Sequence, residues 1–251
     1  MAVEIRVVTI SGLPEIQPGD DLVALIVAAA ERQETPLQSG DVLVVTQKVV
    51  SKAEGRLVAL EEVEPSPYAR QLAEKTDKDP RLVEVILRES RRIVRQAGPV
   101  LITETRHGFV CANAGVDASN VRGEGYVTLL PEDPDASAER IRRGIQEKTG
   151  ARVAVIISDT FGRPWREGHT NVAVGVAGML PFIDYVGQTD PHGYVLRVTT
   201  MAVADELAGA AELVMGKLSR VPVAIVRGFR YTPGQGRARD LIRPPERDLF
   251  R

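Results

Sequence analysis

Two short runs of apolar, mostly β-branched residues, 41–45 and 153–157, constrain the fold of this chain more than any other feature of its sequence. Apolar runs of this length without alternation are typical of strands that are buried on both faces of a sheet. Each run leads directly into polar residues, Thr46-Gln47-Lys48 after the first and Ser158-Asp159-Thr160 after the second. Because a rigid scaffold positions side chains at the ends of buried strands, this pattern favours a ligand site there.

The rest of the chain predicts helices and hairpins in an irregular order. Helical spacing of apolar residues predicts helices over about 21–32, with Asp20 as the capping residue, and within 66–95. The turn-like segment 106–108 predicts an antiparallel hairpin with His107 exposed at its tip. Later elements are a helix that Asp135 and Ser137 open and Gly150 closes, a strand over 153–157 that ends on Ser158-Asp159-Thr160, a helix over 203–215 and a strand over 222–226. The segment 171–178 has no assignable pattern. This order favours an α+β fold over a doubly wound parallel sheet.

The composition is that of an ordinary globular protein. Of 251 residues, 43% are apolar and 26% are charged, and the net charge is −2, so no broad basic surface for nucleic acid is expected. No segment approaches the roughly 20 apolar residues of a membrane helix, and the N-terminus has no signal pattern, so we expect a cytoplasmic protein without a membrane partner. The single cysteine, Cys111, excludes an internal disulfide, and its apolar neighbours favour core packing over a role as nucleophile.

Two stretches carry oxygen donors suited to a hard cation. Asp117 lies in a glycine-containing loop, and Asp159 with Thr160 follows a buried strand. Each aspartate alone is equally explained as the cap of a turn or helix. Two such aspartates without a cluster of histidine or thiol groups favour Mg²⁺ or Mn²⁺ over zinc.

A metal of this kind usually accompanies nucleotide phosphates, which also require positive charge. The candidates are Lys48 and Lys52 beyond the first buried strand, and Arg163 and Arg166 beyond Asp159. Any single lysine is more often a surface group than a ligand. The chain has no Gly-x-x-x-x-Gly-Lys-Ser/Thr loop, so other backbone amides and lysines would have to hold a nucleotide.

Four segments together resemble the coenzyme F-420-0:L-glutamate ligase family in its bacterial single-module form. These segments are Ser11–Pro14, Asp41–Gly55, Asn113–Asn120 and Ile157–Arg163. The resemblance extends through nearly the whole chain and implies one ligase module over 1–251, which can consist of two interwoven subdomains. It also implies a two-part, mixed-sheet α+β fold and an intertwined homodimer. It also implies that GTP phosphorylates the carboxylate of a deazaflavin phospholactate, coenzyme F-420-0. The amine of L-glutamate then displaces phosphate from this acyl phosphate, and no protein nucleophile is required.

The resemblance also implies the residues of the site. Asp117, Asp159 and Thr160 would hold the divalent cations, Mg²⁺ or Mn²⁺, and K⁺ is an optional further ion. The implied nucleotide contacts are Leu13, Pro14, Glu15, Ile16, Gln47, Lys48, Lys52, Asn120, Met215, Gly216 and Lys217. Lys217 is a departure, because archaeal members place an acidic metal ligand after Met-Gly and a protonated lysine cannot bind a cation. The sequence therefore predicts one metal site and leaves a second open.

Two other functions stay open at this point. One is a metal-dependent GTP or phosphate hydrolase that uses the same aspartates with water in place of glutamate. The other is a catalytically silent nucleotide-binding protein, in which Lys217 marks the loss of a metal site. The presence of Asp117, Asp159 and Thr160 together favours an enzyme.

Overall fold

The computed structural model describes residues 4–119 and 125–249. The helices are α1 (Leu22–Arg32), α2 (Gln47–Ala53), α3 (Pro67–Thr76), α4 (Pro80–Arg88), α5 (Pro134–Thr149) and α6 (Val203–Met215). The strands are β1 (Arg6–Ile10), β2 (Val42–Thr46), β3 (Leu57–Ala59), β4 (Ser90–Ala97), β5 (Val100–Thr105), β6 (Val110–Ala112), β7 (Tyr126–Thr128), β8 (Ala154–Arg163), β9 (Arg166–Ala177), β10 (Ile183–Asp184), β11 (Thr200–Met201) and β12 (Val223–Arg227). Helices and several separate sheets coexist, so the α+β prediction is confirmed.

A five-stranded sheet with the order β1-β12-β2-β8-β9 positions the candidate site. Its strands β2 and β8 pair in parallel, from Val42 opposite Ala154 to Thr46 opposite Ser158. The other neighbours pair antiparallel. The two buried runs of the sequence are therefore adjacent strands, as their composition predicts. Because their carboxyl ends lie at the same edge of the sheet, the polar residues that follow both runs come together there.

The second buried strand is longer than the sequence predicts. Strand β8 continues to Arg163 and forms a long hairpin with β9. Asp159 and Thr160 thus lie inside β8, and the prediction that the strand ends at them was wrong. The reason is that β2 stops opposite Ser158, so β8 continues with β9 as its neighbour and can carry polar side chains. Strand β9 also covers the segment 171–178, which the sequence left unassigned.

Helices cover both faces of the five-stranded sheet. Buried residues of α1 and α5 pack on one face, with Ile26 and Ile145 fully enclosed. On the other face, the small residues Ala204, Ala208 and Ala211 allow α6 to approach the strands closely. A separate apolar cluster joins α3, α4, β5 and β7. In the two described ranges, no helix has the length and apolar character needed to cross a membrane.

The helical pattern that the sequence extends to Arg95 ends at Arg88. Residues 90–97 form β4 instead, so the prediction was wrong for this segment. Pro80 begins the separate short helix α4, and the arginine-rich stretch after it pairs antiparallel with β5. Alternating polar residues in an edge strand resemble the exposed face of a helix, which explains the error.

Three smaller predictions also differ from the structure. Helix α1 is capped by Asp21, whose carboxylate accepts a hydrogen bond from the Ala24 amide at 2.9 Å, and not by Asp20. Helix α5 begins at Pro134, and its cap is Asp133, two residues before Asp135. His107 is half-buried, because its Nε2 lies 3.0 Å from a backbone carbonyl oxygen, that of Pro131, so it is not an exposed tip residue. The closure of α5 by Gly150 is confirmed.

Candidate functional site

A cavity of about 1150 Å³ opens at the edge of the sheet where the pairing of β2 with β8 ends. Its walls come from the turn after β1, the start of α2, the loop that carries Asp117, the β8–β9 hairpin and the loop between α6 and β12. The predicted site residues that line it are Leu13, Pro14, Glu15, Ile16, Gln47, Lys48, Lys52, Asp117, Asp159, Thr160, Gly216 and Lys217. Met215, the last residue of α6, is fully buried and is not part of the lining. Asn120 lies outside the described residues.

The carboxylate of Asp117 is held by a lysine and a serine. Lys48 Nζ donates to Asp117 Oδ2 at 2.7 Å, the Ser119 amide donates to Oδ1 at 2.6 Å, and the Ser119 hydroxyl donates to Oδ2 at 3.0 Å. Burial by itself would raise the pKa of Asp117, but these hydrogen bonds and the charge of Lys48 lower it below its ordinary value. Asp117 is therefore an anion that is already paired with a cation.

Asp159 has a different electrostatic environment in the same cavity. Burial is the main reason that its pKa is raised to about 6, and the negative charge of Asp117 acts in the same direction. A hydrogen bond from the Thr160 amide and the charges of Lys48 and Lys217 oppose this increase. The two carboxylates thus repel each other in a partly desolvated site, which favours the binding of a cation between them.

A closed ring of polar contacts lies next to Asp159. Thr160 Oγ1 donates to Asn171 Oδ1 at 2.7 Å, and Asn171 Nδ2 donates to Glu212 Oε2 at 3.0 Å. Lys217 Nζ lies 3.3 Å from Glu212 Oε1 and donates to Thr160 Oγ1, which closes the ring. The ring joins β8, β9, α6 and the loop after α6. It fixes the ammonium group of Lys217 beside the Thr160 hydroxyl, for which the family resemblance implies a role in metal binding.

Asn171 and Glu212 line the cavity but were not predicted as site residues. Asn171 is a buried polar residue within an otherwise apolar part of β9, which is a signal that the sequence does contain. Glu212 lies in the last turn of α6, where an acidic residue is indistinguishable from an ordinary surface group. Its partner Lys217 gives a weak local hint, since it follows the end of the same helix.

Lys52 adds a third positive charge to the cavity wall. Its side chain is 9% exposed, and its Nζ lies 2.5 Å from Glu15 Oε1. Lys48 and Lys52 are one turn apart in α2, so both ammonium groups reach the cavity from one helix. With Lys217, the cavity presents three lysines close to two aspartates, a charge arrangement suited to phosphate and a divalent cation.

Three other residues that the sequence analysis considered, Arg163, Arg166 and Cys111, do not line the cavity. Arg163 donates to the backbone carbonyls of Glu167 and Gly168 within the hairpin, and neither Arg163 nor Arg166 lines the cavity. Cys111 is buried in β6, and burial together with the charge of Asp159 raises the pKa of its thiol to about 12. The thiol therefore stays protonated, and the prediction that it packs in the core is confirmed.

The donor set fits a metal that is bound together with phosphate. Within the described ranges, no group of three or more histidine, cysteine or acidic side chains is arranged to hold a metal ion. Asp117, Asp159 and Thr160 nevertheless offer hard oxygen atoms in one cavity. Mg²⁺ is commonly bound by one or two carboxylates plus substrate phosphates and water, and such a site needs no complete protein cage.

The model of the F420-0:Gamma-glutamyl ligase family matches residues 12–228 of the chain. The chain belongs to this family. The matched span contains every described residue that lines the cavity, from Leu13 to Pro222. The family that the sequence motifs indicate is therefore confirmed.

Three curated relatives, each named Coenzyme F420:L-glutamate ligase, match the chain over most or nearly all of their length. The protein of Methanothermobacter thermautotrophicus is 50% identical over 250 residues, which cover 98% of this chain and 99% of the relative. The protein of Methanopyrus kandleri is 51% identical over 242 residues, 94% of each chain. The protein of Methanocaldococcus jannaschii is 48% identical over 218 residues, 86% of each chain.

Proposed function

We propose that this chain is a GTP-dependent ligase that joins L-glutamate to coenzyme F-420-0 through an acyl phosphate. The observation that carries the proposal is the convergence of Asp117 and Asp159 with three lysines in one cavity. Membership of the ligase family and the names of the relatives support the choice of substrates. The charges of the cavity support the choice of chemistry.

The first step transfers the terminal phosphoryl group of GTP to the carboxylate of the phospholactyl arm. A bond forms between a carboxylate oxygen and the γ-phosphorus, the bond from that phosphorus to the β,γ-bridging oxygen breaks, and GDP leaves. Because two anions must approach each other, positioning and positive charge dominate catalysis. Lys48, Lys52 and Lys217 would supply this charge at the phosphates. Mg²⁺ or Mn²⁺ held by Asp117 and Asp159 would neutralise further phosphate charge.

The second step forms the amide. The amine of L-glutamate attacks the carbonyl carbon of the acyl phosphate, inorganic phosphate leaves, and the nitrogen loses a proton. No side chain has to form a covalent intermediate, which agrees with the protonated state of Cys111. The task of the protein is to hold two substrates in line and to keep water from the acyl phosphate.

We propose one divalent cation per chain, between Asp117 and Asp159. At Thr160 the positive charge would come from Lys217, whose ammonium group contacts both Thr160 and Glu212. Activity with Na⁺ salts in place of K⁺ salts would test the expected role of a monovalent ion.

The decisive experiment incubates the protein with coenzyme F-420-0, GTP, Mn²⁺ and L-glutamate and follows product mass and GDP. The ligase predicts a mass gain of glutamate that requires all four components. GDP release that does not depend on glutamate would indicate the hydrolase. Nucleotide binding without GDP release would indicate the silent binding protein.

We also propose that the protein is cytoplasmic, where GTP and L-glutamate are available, and that it forms the two-part, intertwined homodimer of its family. Exposed apolar side chains between β10 and β11 support an interface, because Val186, Tyr194 and Val198 would otherwise face water. Light scattering at several protein concentrations tests this proposal. A monomer at the concentrations used for the activity assay would contradict it.

A further inference from the structure

The β8–β9 hairpin continues beyond the cavity, and its residues 162–169 are exposed to solvent. Thr160 pairs with Asn171, and Gly162 pairs with His169 two positions further along. In an antiparallel ladder, directly paired residues and residues two positions apart point to the same face. Thr160, Asn171 and His169 all line the cavity, so the Gly162–His169 pair extends this cavity face towards the end of the hairpin.

Gly162 leaves this part of the face flat. Its φ angle lies outside the left-handed region, so the backbone does not require glycine here. A Cβ atom at this position would have the His169 ring atom Cδ2, at 4.0 Å, as its nearest neighbour outside the adjoining residues. The missing side chain therefore leaves space above the strand, directly beside an exposed planar imidazole ring.

The tip of the hairpin carries the single tryptophan of the chain. Trp165 is 77% exposed and has a φ of +61°, which is unfavourable for a bulky residue. Arg163 holds the tip, since it donates to the Glu167 carbonyl at 2.5 Å and to the Gly168 carbonyl at 3.4 Å. The exposed indole therefore presents a large aromatic surface at the end of the hairpin.

The spacing along the hairpin suits the substrate of the proposed function. A strand rises ~3.3 Å per residue, so the tip begins ~10 Å beyond Thr160. In coenzyme F-420-0 a ribityl phosphate arm separates the planar ring from the lactyl carboxylate that reacts. A ring seated near the tip would therefore leave the carboxylate able to reach the cavity.

We propose that Gly162, His169 and Trp165 form a stacking shelf for the deazaflavin ring. The inference rests on the proposed function, because it assigns a binding surface to the acceptor substrate of that reaction. Stacking on aromatic side chains recognises a planar ring largely through its faces, and the phosphate arm then runs along the hairpin into the cavity.

Intrinsic fluorescence gives a direct test, because all tryptophan emission comes from Trp165. Addition of coenzyme F-420-0 alone should quench this emission in a saturable way, whereas GTP alone should leave it unchanged. Emission that is unaffected by saturating coenzyme F-420-0 overturns the shelf. Emission that instead shifts with protein concentration places Trp165 in a contact between two copies of the chain and also overturns it.

Steady-state kinetics test the shelf independently. Trp165→Ala should raise KM for coenzyme F-420-0 about 10-fold, the effect expected for the loss of one aromatic stacking contact, and leave KM for GTP unchanged. Trp165→Phe should retain most of the affinity. Gly162→Val, which introduces a residue that is favourable in strands, should raise the same KM by filling the flat surface. Tyr68→Ala, at an exposed aromatic on α3, is the control and should change neither constant.

The two proposals fail in different ways. If wild-type protein forms the glutamate product but Trp165→Ala and Gly162→Val both keep the wild-type KM for coenzyme F-420-0, the shelf is wrong and the proposed function stands. If coenzyme F-420-0 quenches Trp165 but no glutamate product forms, the shelf stands and the proposed reaction is wrong.

Discussion

Lys48 Nζ lies 2.7 Å from Asp117 Oδ2 and so joins two residues that are 69 positions apart in the sequence. A lysine ammonium group therefore contacts the carboxylate that we assign to a metal ion. Since the same Oδ2 cannot serve both partners fully, Lys48 and the proposed divalent cation would compete for Asp117 in the absence of nucleotide. In the proposed GTP complex, phosphate oxygens would be an alternative partner for Lys48.

Lys48→Met should strengthen Mn²⁺ binding to the nucleotide-free protein, because it removes the competing ammonium group. The same variant should lower kcat, because it removes a positive charge from the phosphates. Calorimetric titration with Mn²⁺ and the glutamate-addition assay measure the two effects. Lys75→Met, at an exposed position of α3, provides the matched control and should change neither. Weaker Mn²⁺ binding in Lys48→Met would contradict the competition.

Asp117→Asn and Asp159→Asn should each lower turnover by at least ~100-fold, because both remove a charge from the proposed cation site. Both variants keep the size of the side chain, so their circular dichroism spectra should match that of the wild type. Product formation is followed by mass spectrometry. Full activity in either variant would contradict the assignment.

Lys217→Glu should increase the number of Mn²⁺ ions bound per chain in the presence of a non-hydrolysable GTP analogue. The substitution replaces the ammonium group that contacts Thr160 and Glu212 with a further carboxylate. Metal content after gel filtration gives the count, and we expect one ion in the wild type and two in the variant. Two ions in the wild type would show that Lys217 does not take the place of a cation.

Asp41→Ala should destabilise the protein by about 3–5 kcal/mol, because it leaves a partly buried guanidinium group without its carboxylate partner. Asp41 is 1% exposed and accepts two hydrogen bonds from Arg227, each of 2.8 Å. Urea denaturation measures the loss. The matched control is Arg6→Ala in the exposed pair with Glu4, where we expect little change.

Asp135 predicts a pH dependence of stability. Its Oδ1 accepts the amides of Val176 and Ala238 at 2.9 and 2.7 Å, and burial raises the pKa of this carboxyl. The folded state therefore disfavours the ionised form, so stability is lost as the pH rises above the ordinary pKa of 3.8. Asp135→Asn keeps the acceptor and avoids this loss. Its stability relative to the wild type should increase from pH 4 to pH 7 in urea denaturation, and a decrease would contradict the assignment.

The sequence predicts which residues line the cavity better than it predicts how the strands form the cavity. Asp117, Asp159 and the lysines of α2 were identifiable because acidic and basic groups after buried strands are unusual. The continuation of β8 past Asp159 was not, because it depends on where β2 stops, which is a property of two strands together. Residues 90–97 were misassigned for the same reason, since only pairing with β5 distinguishes this segment from a polar helix face.

Patterns in the sequence also could not predict which distant segments contact each other. Glu212 is an ordinary helix-end residue in the sequence, and its role in the ring appears only when α6 packs against β9. Asn171 is partly different, because a polar residue among apolar ones in a strand could have been noticed. Its two partners, Thr160 and Glu212, are set by the tertiary structure.

Each lysine of the cavity is paired with a carboxylate, so its positive charge is already balanced before any ligand binds. Among the described lining residues, four acidic groups, Glu15, Asp117, Asp159 and Glu212, face four basic ones, Lys48, Lys52, Lys217 and Arg220, so their formal charges cancel. Such a surface offers little net attraction to GTP alone or to a metal ion alone. If the proposed metal–nucleotide complex binds here, each lysine would exchange its carboxylate for a phosphate oxygen, and a freed carboxylate would be available to the metal. That exchange would preserve the charge balance, so the proposed site would favour the metal–nucleotide complex over either component.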